Sequence, residues 1–202
     1  MILITRPVKQ AEKTKKLLAT MGYACKIFPL LKIEYLWDAL TGVGEYPNVI
    51  VTSVHAAKVI IKAKRFVTAN FYVVGQKVAD LLTSNNYTIT RLALRACELN
   101  IADSNVVYIS GDHIATDFAC PRIVVYNSIA ATALPSDLLI GITTILFYSP
   151  RTAKVFRNLQ PALKNIKAIC ISFNTAIMLK DLNFHKILIA ENPTEKSMLK
   201  LL

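Results

Sequence analysis

Short apolar runs alternate with amphipathic segments along most of the chain. The first run, ILITRP, ends at Pro7, and the segment PVKQAEKTKKLLATMG then carries apolar residues at near-helical spacing over a lysine-rich face. These apolar residues are Ala11, Leu17, Leu18 and Met21. The segment stops at Gly22, and a proline just inside a helix with a glycine just beyond it is the usual punctuation. A second apolar run, ACKIFPLL, follows, so the opening pattern predicts a β-α-β unit.

The same alternation resumes at Asn48 and continues to the end of the chain. Runs rich in valine and isoleucine predict strands at NVIVTS, FYVVG, YTITRLAL, NVVYISGD, RIVVY, TTILFYS, AICIS and KILIAE. The intervening segments predict helices at VHAAKVIIKAK, QKVADLLTSNN, PRTAKVFRNLQPAL, FNTAIMLKDL and PTEKSMLKLL, with a short, weak one at HIATDFA. Such alternation is typical of parallel sheets covered on both faces. We therefore predict an α/β fold in which parallel sheets are flanked by helices.

One strand-to-helix junction occurs twice. VIVTSVHAAKVI and ILFYSPRTAKVF align with Ser53 on Ser149 and Ala57 on Ala153, an offset of 96 positions in both pairs. The next unit also recurs, because FYVVGQKVADLL aligns with AICISFNTAIML at an offset of 97. Two consecutive units in the same order indicate either an internal duplication or strong structural mimicry.

The repeat suggests how the domains divide. One copy lies in the middle of the chain and the other in its C-terminal part, whereas the N-terminal β-α-β unit cannot bury both faces alone and needs a sheet to join. The most economical arrangement pairs it with the C-terminal strands. This predicts a discontinuous, flavodoxin-like domain of residues 1–32 and 130–202, an inserted α/β domain of residues 36–124, and linkers at 33–35 and 125–129.

Composition adds a strong positive charge to this picture. The chain has 202 residues, 53% of them hydrophobic, and a formal net charge of +11. That charge favours a polyanionic partner such as nucleic acid, an anionic membrane or a polycarboxylate small molecule, although a general bias toward lysine would also account for it. The N-terminus lacks a signal-peptide core, and the apolar patch at 138–148 is too short to span a bilayer. We expect a soluble, cytoplasmic and monomeric protein.

The sequence carries no familiar metal, cofactor or catalytic motif. Its four cysteines are scattered without CxxC spacing or a nearby histidine, which disfavours zinc and predicts buried, reduced thiols. GxGxxG and GxxxxGK[ST] are absent, which argues against dinucleotides and nucleoside triphosphates. GxSxG and HExxH are absent as well, and each histidine is expected to be a surface or packing residue. We therefore expect no cofactor and no metal.

Small polar residues follow most of the predicted strands. Ligands of parallel sheets bind at the carboxyl ends of the strands, and helix N-termini favour anions. Hydroxyl residues there also cap helices without any ligand, so both interpretations remain open. If both sheets face a shared cleft, these residues would bind several carboxylates or phosphates. The candidate binding residues are Arg6, Thr52, Ser53, Gly75, Ser110, Gly111, Ser149, Thr175 and Thr194.

Tyr126 closes the predicted strand RIVVY at the second linker. A tyrosine at the end of a strand is commonly a core residue with its hydroxyl satisfied locally. At a hinge that faces a ligand, the same hydroxyl could donate a hydrogen bond or a proton. The residues alone leave both roles open.

The ordered set of these motifs resembles the uroporphyrinogen-III synthase family over nearly the whole chain. The resemblance is carried by ILITRP, FPLLKIE, VIVTSVHAA, VVGQKVADLL, VVYISGD, IVVYNS, ILFYSPRTAKVF, the NTA of ISFNTA, and ENPTEKSML. Each motif alone is weak, and their order and spacing give the resemblance its specificity.

The resemblance implies two α/β domains joined by a pair of linkers and a cofactor-free lyase of tetrapyrrole and heme biosynthesis. Its substrate would be hydroxymethylbilane, a linear tetrapyrrole with four acetates and four propionates. Loss of the terminal hydroxyl gives an azafulvene cation equivalent, which attacks the substituted carbon of ring D. The resulting spiro intermediate breaks and recloses with ring D inverted. A transient handover from hydroxymethylbilane synthase is also implied.

The resemblance also implies roles for particular residues. Tyr126 matches the family's tyrosine, the usual candidate for the acid at the departing hydroxyl. Thr52, Ser53, Ser149 and Thr175 match positions that face the cleft, where they would position carboxylates or backbone.

The chain departs from the family pattern in three places. Val78 stands where the family usually has threonine, Ser172 stands where glycine is common, and the segment GDHIATDFACPRI is shortened. We expect the helix in that segment to be reduced or lost. Two other functions stay open on the residues alone: a non-enzymatic two-domain binder of an anionic metabolite, and a nucleic-acid binder. Against the second, the lysines are spread over helix faces without an aromatic-interleaved basic run.

Overall fold

The computed structural model describes residues 1–99, 101, 104–114 and 116–202, which form alternating strands and helices. The strands are β1 (Ile2–Ile4), β2 (Cys25–Ile27), β3 (Leu31–Tyr35), β4 (Asn48–Val51), β5 (Asn70–Val74), β6 (Ile89–Ala93), β7 (Val106–Gly111), β8 (Arg122–Ala130), β9 (Thr144–Phe147), β10 (Lys167–Cys170) and β11 (Lys186–Ile189). The α-helices are α1 (Val8–Thr20), α2 (Val54–Ala63), α3 (Gln76–Thr83), α4 (Pro150–Asn158), α5 (Phe173–Ile177) and α6 (Glu195–Leu199). A 3₁₀ turn covers Ala96–Glu98. The predicted α/β class, with parallel sheets flanked by helices, is confirmed.

The chain divides into two compact units. Unit 1 comprises Met1–Lys32 and Ile129–Leu202, and unit 2 comprises Ile33–Ser128. Each has its own sheet and its own hydrophobic core.

Unit 1 contains a parallel five-stranded sheet in the order β2-β1-β9-β10-β11. Counted within the unit, this is the order 2-1-3-4-5, which is common among doubly wound sheets. One face is covered through Ala11 and Leu18 of α1 and Met198 of α6. The other face is covered through Phe156 of α4 and Ala176 of α5. Helices on opposite faces are the solution that parallel strands require, because both faces of such strands are apolar.

Unit 2 contains a six-stranded sheet in the order β3-β8-β7-β4-β5-β6. Helices α2 and α3 cover one face, through residues such as Val59, Ile60 and Leu82. The other face carries Tyr72 and Tyr108 and is covered by irregular chain that includes Phe118. The described part of the segment between β7 and β8 contains no helix, so the weak helix predicted at HIATDFA is wrong there; Ala115, within that prediction, lies outside the described residues. This agrees with the expectation that the helix implied by the resemblance is reduced or lost in the described part of the segment.

Local sequence signals explain where α1 ends but do not predict all of the side chains that it buries. Gly22 has φ +82°, and the N–H of Tyr23 donates to the carbonyl of Leu18 at 2.9 Å, which is a Schellman ending. Leu17 and Met21 are exposed, contrary to the predicted apolar face. The buried side chains of α1 are Ala11, Thr14 and Leu18. Steps of three and four residues keep these three on one stripe, and Thr14 occupies a place that hydrophobicity alone would not assign.

The segments predicted as linkers are parts of strands. Residues 33–35 lie in β3 and residues 125–129 lie in β8, and the two strands are neighbours in the sheet. The alternation of apolar and charged residues in LKIEY is short, and a pattern of that length gives only a weak strand signal.

The four cysteines are free thiols, and the prediction that they are buried holds for Cys170 alone. Cys25 and Cys120 are half-buried, and Cys97 is exposed. Burial raises the pKa of the Cys170 thiol to about 12, so it stays protonated. Among the described residues no group of three or more His, Cys, Asp or Glu side chains could hold a metal ion. Within the same part of the chain, no helix has the length and apolar character needed to cross a membrane.

Candidate functional site

Each sheet has one point at which its strand order reverses, and the polar junctions concentrate there. In unit 1 this point lies between β1 and β9, where Ile4 pairs with Leu146. In unit 2 it lies between β4 and β7, where Val51 pairs with Ile109. Ligands of open α/β sheets bind beyond the carboxyl ends of the strands at such points. The residues just after β1 and β9 therefore form the candidate site edge of unit 1, and those just after β4 and β7 form that of unit 2.

The edge of unit 2 joins Tyr126, Ser53 and Gly111. The hydroxyl of Tyr126 donates to Oγ of Ser53 at 3.0 Å, and the backbone N–H of His55 donates to the same oxygen at 3.1 Å. Ser53 therefore caps α2 and accepts from Tyr126 at the same time. Two of the predicted binding residues and the predicted catalytic residue thus lie together.

A β-bulge sets the position of Tyr126. Ser110 pairs with Val124, but Gly111 pairs with Tyr126, so β8 has one extra residue at this point. A Cβ on Gly111 would overlap the Tyr126 ring, so only glycine allows the ring to lie where it does. Bulges commonly redirect a side chain in this way beside a functional site.

Thr52 faces a second tyrosine. Its Oγ1 lies 2.8 Å from the hydroxyl of Tyr108, a side chain that is 3% exposed. Burial raises the pKa of the Tyr108 hydroxyl, while the hydrogen bond from Thr52 and the charge of Arg122 partly oppose that rise. Thr52 is itself only half-buried and lies at the candidate site edge of unit 2.

Ser110 is held inside the protein. It is 1% exposed, and its Oγ accepts from Nε of Arg122 at 2.8 Å and donates to the carbonyl of Gly111 at 3.1 Å. Nη2 of Arg122 also donates to the carbonyls of Gly111 and Asp112. The arginine therefore fixes the turn that follows β7, and Ser110 is part of that support.

His55 lies beside the same edge. Its Nδ1 is 2.7 Å from the hydroxyl of Tyr35, and its ring centroid is 5.6 Å from Tyr35 and 5.3 Å from Tyr126. Partial burial and the nearby charge of Lys58 lower the pKa of the imidazole below its usual value. The neutral form is therefore favoured at neutral pH.

In unit 1, Arg6 forms an ion pair with Glu195. Its Nη1 lies 2.7 Å from Oε1 of Glu195, and the same oxygen accepts from Thr14 at 2.5 Å and from Tyr148 at 3.0 Å. The guanidinium also lies over the Tyr148 ring, 4.1 Å from its centroid. Burial raises the pKa of the Tyr148 hydroxyl, which keeps it a donor. These four residues form a carboxylate-centred cluster that ties β1, α1, β9 and α6 together.

Ser149, Thr175 and Thr194 all belong to helix starts in unit 1. Oγ of Ser149 accepts from the N–H of Thr152 at 3.2 Å, and Oγ1 of Thr194 accepts from the N–H of Ser197 at 3.2 Å. Thr175 is fully buried and lies 3.1 Å from the hydroxyl of Ser172. All three hydroxyls thus form hydrogen bonds with nearby residues of their own helix starts. Ser149 is half-buried and Thr194 is exposed.

Gly75 precedes α3 in unit 2 with φ +87°, and its N–H donates to the carbonyl of Ala93 at 2.9 Å. A side chain at this position would require a left-handed backbone that only glycine adopts freely. Its backbone shapes the turn without offering that N–H to a ligand.

Sequence reasoning missed Glu195, Tyr148, His55 and Arg122. Glu195 contacts Arg6 across 189 positions of sequence, and no local pattern announces such a pair. His55 carries a weak signal, because it stands two residues after the predicted cap Ser53, in the first turn of a helix. That signal does not single it out, since a lone histidine is more often a surface residue.

The comparisons with known proteins point to one family. A family model described as "Uroporphyrinogen-III synthase HemD" matches residues 114–200. The crystal structure of uroporphyrinogen-III synthetase from Helicobacter pylori 26695 is similar over 99% of this chain and 96% of that chain, at 18% identity and a TM-score of 0.70. A mutant uroporphyrinogen III synthase from the extremely thermophilic bacterium Thermus thermophilus is similar over 99% and 96%, at 13% identity and a TM-score of 0.62. No curated protein matches the chain.

The resemblance to the uroporphyrinogen-III synthase family is confirmed. At these identities the two solved structures establish a shared fold, and the family model adds the sequence pattern of residues 114–200. That range contains Tyr126, Ser149, Thr175 and Thr194. Their roles toward a substrate stay predictions.

Proposed function

We propose that the protein is a uroporphyrinogen-III synthase, a lyase of tetrapyrrole biosynthesis that converts hydroxymethylbilane to uroporphyrinogen III. The observation that carries the proposal is the family-model match over residues 114–200, in a chain that shares its fold with solved synthases over 99% of its length. The local chemistry agrees, because the candidate edges offer hydroxyls at helix starts and the chain carries a net charge of +11, both of which suit a polycarboxylate substrate.

Tyr126 is the proposed acid. In this role its hydroxyl donates a proton to the terminal hydroxyl of the bilane, the carbon–oxygen bond breaks, and water leaves. The azafulvene cation equivalent then bonds to the substituted carbon of ring D, and the spiro intermediate breaks and recloses with ring D inverted. Closure at the free α-carbon of ring D releases that carbon's proton, which balances the proton given by Tyr126. The hydrogen bond from Tyr126 to Ser53 supports the role, because it orients the hydroxyl at the carboxyl end of the sheet.

The remaining candidate residues are proposed to bind or support the substrate carboxylates. Ser53, Thr52 and Ser149 have half-buried hydroxyls at helix starts, where free N–H groups and the helix dipole favour anions. Ser110, Gly111, Gly75 and Thr175 support the substrate-facing turns from inside, Arg6 belongs to the cluster around Glu195, and Thr194 caps the helix that begins at Glu195. Because the bilane closes to the uninverted isomer without help, holding its conformation is the larger part of the task.

An isomer assay tests this function directly. Purified protein is coupled to a source of hydroxymethylbilane, and the products are oxidised and separated into type I and type III isomers. We expect type III to dominate, and type I alone from folded protein would reject the function.

Tyr126→Phe is the matched test of the acid. It removes the hydroxyl and keeps the ring over Gly111. We expect kcat for type III formation to fall about 100-fold, with KM nearly unchanged. Tyr23→Phe, at an exposed tyrosine of unit 1, is the control and should leave both constants unchanged. An unchanged kcat in Tyr126→Phe would assign the proton donation to another group.

The proposal extends to the setting of the reaction. A cytoplasmic monomer that receives the bilane in a transient handover from hydroxymethylbilane synthase would limit unaided closure of the substrate. Sedimentation of the protein alone tests the monomer, and a stable dimer would overturn it. Isomer yields measured at constant bilane supply and varied synthase concentration test the handover, and yields that do not depend on the synthase concentration would overturn it.

A further inference from the structure

His55 connects the proposed acid to the edge strand β3. Its imidazole lies against two tyrosine rings, those of Tyr126 and Tyr35. Tyr35 is itself braced by Trp37, whose ring stacks on it with centroids 4.5 Å apart. The imidazole thus contacts both Tyr35, which stacks on Trp37, and Tyr126, which the proposed mechanism uses.

The backbone of His55 meets the same hydrogen-bond system. Its N–H donates to Oγ of Ser53, which also accepts the Tyr126 hydroxyl. A shift of His55 would therefore disturb Tyr126 by two routes, through the ring contact and through Ser53. Gly111 also lies against the Tyr126 ring, where it leaves no space for a side chain of its own.

We propose that neutral His55 is a positioning residue that holds the Tyr126 ring against Gly111 and its hydroxyl on Ser53. In the neutral ring with its proton on Nε2, Nδ1 accepts the O–H of Tyr35, and this hydrogen bond fixes the plane of the imidazole. A protonated imidazole has no acceptor, so the Tyr35 O–H could no longer donate to Nδ1, and a hydrogen bond could persist only with Nδ1–H donating to the Tyr35 oxygen. The catalytic part of this inference rests on the proposed function; the positioning part does not.

The groups that face the imidazole favour its neutral form. Lys58 lies on the same helix and Tyr35 and Tyr126 lie on β3 and β8, so the neighbours are one cation and two phenols. Partial burial acts in the same direction as Lys58. The hydrogen bond with Tyr35 should therefore reverse, and the environment of Tyr126 change with it, only when the pH falls below the usual range for histidine, near 6.5.

NMR of protein labelled at its tyrosine rings and histidines tests the positioning role without any substrate. Loss of a signal in Tyr126→Phe assigns Tyr126, and loss of a signal in His55→Gln assigns His55. We expect the Tyr126 signals to shift with the His55 titration in the wild-type protein. That transition should be absent in His55→Gln and intact in the control His185→Gln, at an exposed histidine of unit 1. Tyr126 signals that ignore both the His55 titration and the His55→Gln substitution would overturn the proposal.

Tyr35→Phe tests the direction of the hydrogen bond. If the Tyr35 O–H donates to neutral Nδ1, its removal should raise the pKa of His55, because the neutral form loses a partner. A lower pKa in Tyr35→Phe would show that the imidazole is the donor and would overturn the assignment.

Kinetics then connect positioning to catalysis. We expect His55→Gln to lower kcat for type III formation about tenfold with KM changed less than about twofold, since small misplacements of an oriented group reduce rate more than binding. If the wild-type protein makes no type III isomer, the proposed function fails while the NMR result still decides the positioning role. If type III forms and His55→Gln matches wild type in kcat, the catalytic part of the inference is wrong.

Discussion

The Ser53 hydroxyl shows why a cap and a site residue are hard to separate at the scale of one residue. A serine before an amphipathic helix predicts a cap, and the cap is present. The sequence could not predict that the same oxygen also accepts Tyr126, from 73 positions away. That contact depends on an extra residue in β8, and the alternation of RIVVYNS does not reveal a bulge.

The close approach of Gly111 and Tyr126 gives a residue-scale prediction. Gly111→Ala adds one methyl group that overlaps the phenol ring, so the ring must move. We expect type III formation to fall at least about tenfold, in line with the cost of displacing an oriented group. The assay is the isomer analysis, with thermal unfolding as a check on folding.

Gly44→Ala is the control for that substitution. Gly44 is exposed, and a Cβ there meets nothing within 4 Å. It should retain full activity. Equal activity in the two alanine variants would show that the position of the Tyr126 ring does not matter for the reaction.

At the scale of secondary-structure elements, the sequence predicted those that have strong local signals. Helix α4 begins with Ser149 and Pro150, and α1 ends at Gly22, as capping rules require. Strand β3 was missed because it is short and lies at the edge of a sheet, where its pairing partner β8 is distant in sequence. The tie between α1 and α6 was missed for a related reason, since it consists of polar contacts on a single oxygen of Glu195.

The contacts on Glu195 predict that alanine substitution there lowers stability much more than alanine substitution at Glu191. Glu195→Ala leaves Arg6, Thr14 and Tyr148 without their shared acceptor in a partly buried place. We expect the free energy of unfolding to fall by about 1–3 kcal/mol, the usual cost of removing a charged hydrogen-bond partner. Denaturant unfolding measures it, and hydrogen exchange should show the loss in α6 first.

Glu191→Ala serves as the comparison, because Glu191 is exposed in the loop that precedes α6. It should change stability by less than about 0.5 kcal/mol, as is usual at the surface. A similar loss in both variants would mean that the cluster contributes no more than a surface charge does.

For the whole molecule, the net charge of +11 bears on how substrate is captured. A bilane with eight carboxylates is attracted over a distance set by the Debye length, about 10 Å at 0.1 M salt. We expect KM to rise several-fold between about 0.05 and 0.5 M salt while kcat changes little, because screening weakens capture more than the chemical step. Steady-state kinetics in a series of salt concentrations provide the measurement. A flat KM would show that the charge is spread over surfaces that do not guide the substrate.

Two pKa shifts predict how stability depends on pH. The pKa of His55 is lowered on folding, so its contribution is present above about pH 6.5 and is lost as the pH falls through its folded pKa. The pKa of Tyr148 is raised by burial, so its contribution is present below about pH 10 and is lost as the pH rises. The free energy of unfolding, measured across a range of pH, should therefore decline at both the acid and the alkaline end.

His55→Gln should flatten the acid side of that profile and leave the alkaline side unchanged. Tyr148→Phe should do the reverse. If the acid side keeps its slope in His55→Gln, other groups control stability there.

The insertion of unit 2 within unit 1 has a consequence for how the chain is made. Ile2 of β1 pairs with Thr144 of β9, so β1 leaves a ribosome and then waits for a neighbour that emerges well over a hundred residues later. At about 5–20 residues per second this wait lasts on the order of ten to thirty seconds. Unit 2, whose strands lie within one continuous stretch, can complete its sheet during that interval. Nascent chains stalled once Ala130 has emerged from the ribosome would then hold a folded second unit together with an open, apolar edge at β1, and that species is the one most in need of a chaperone.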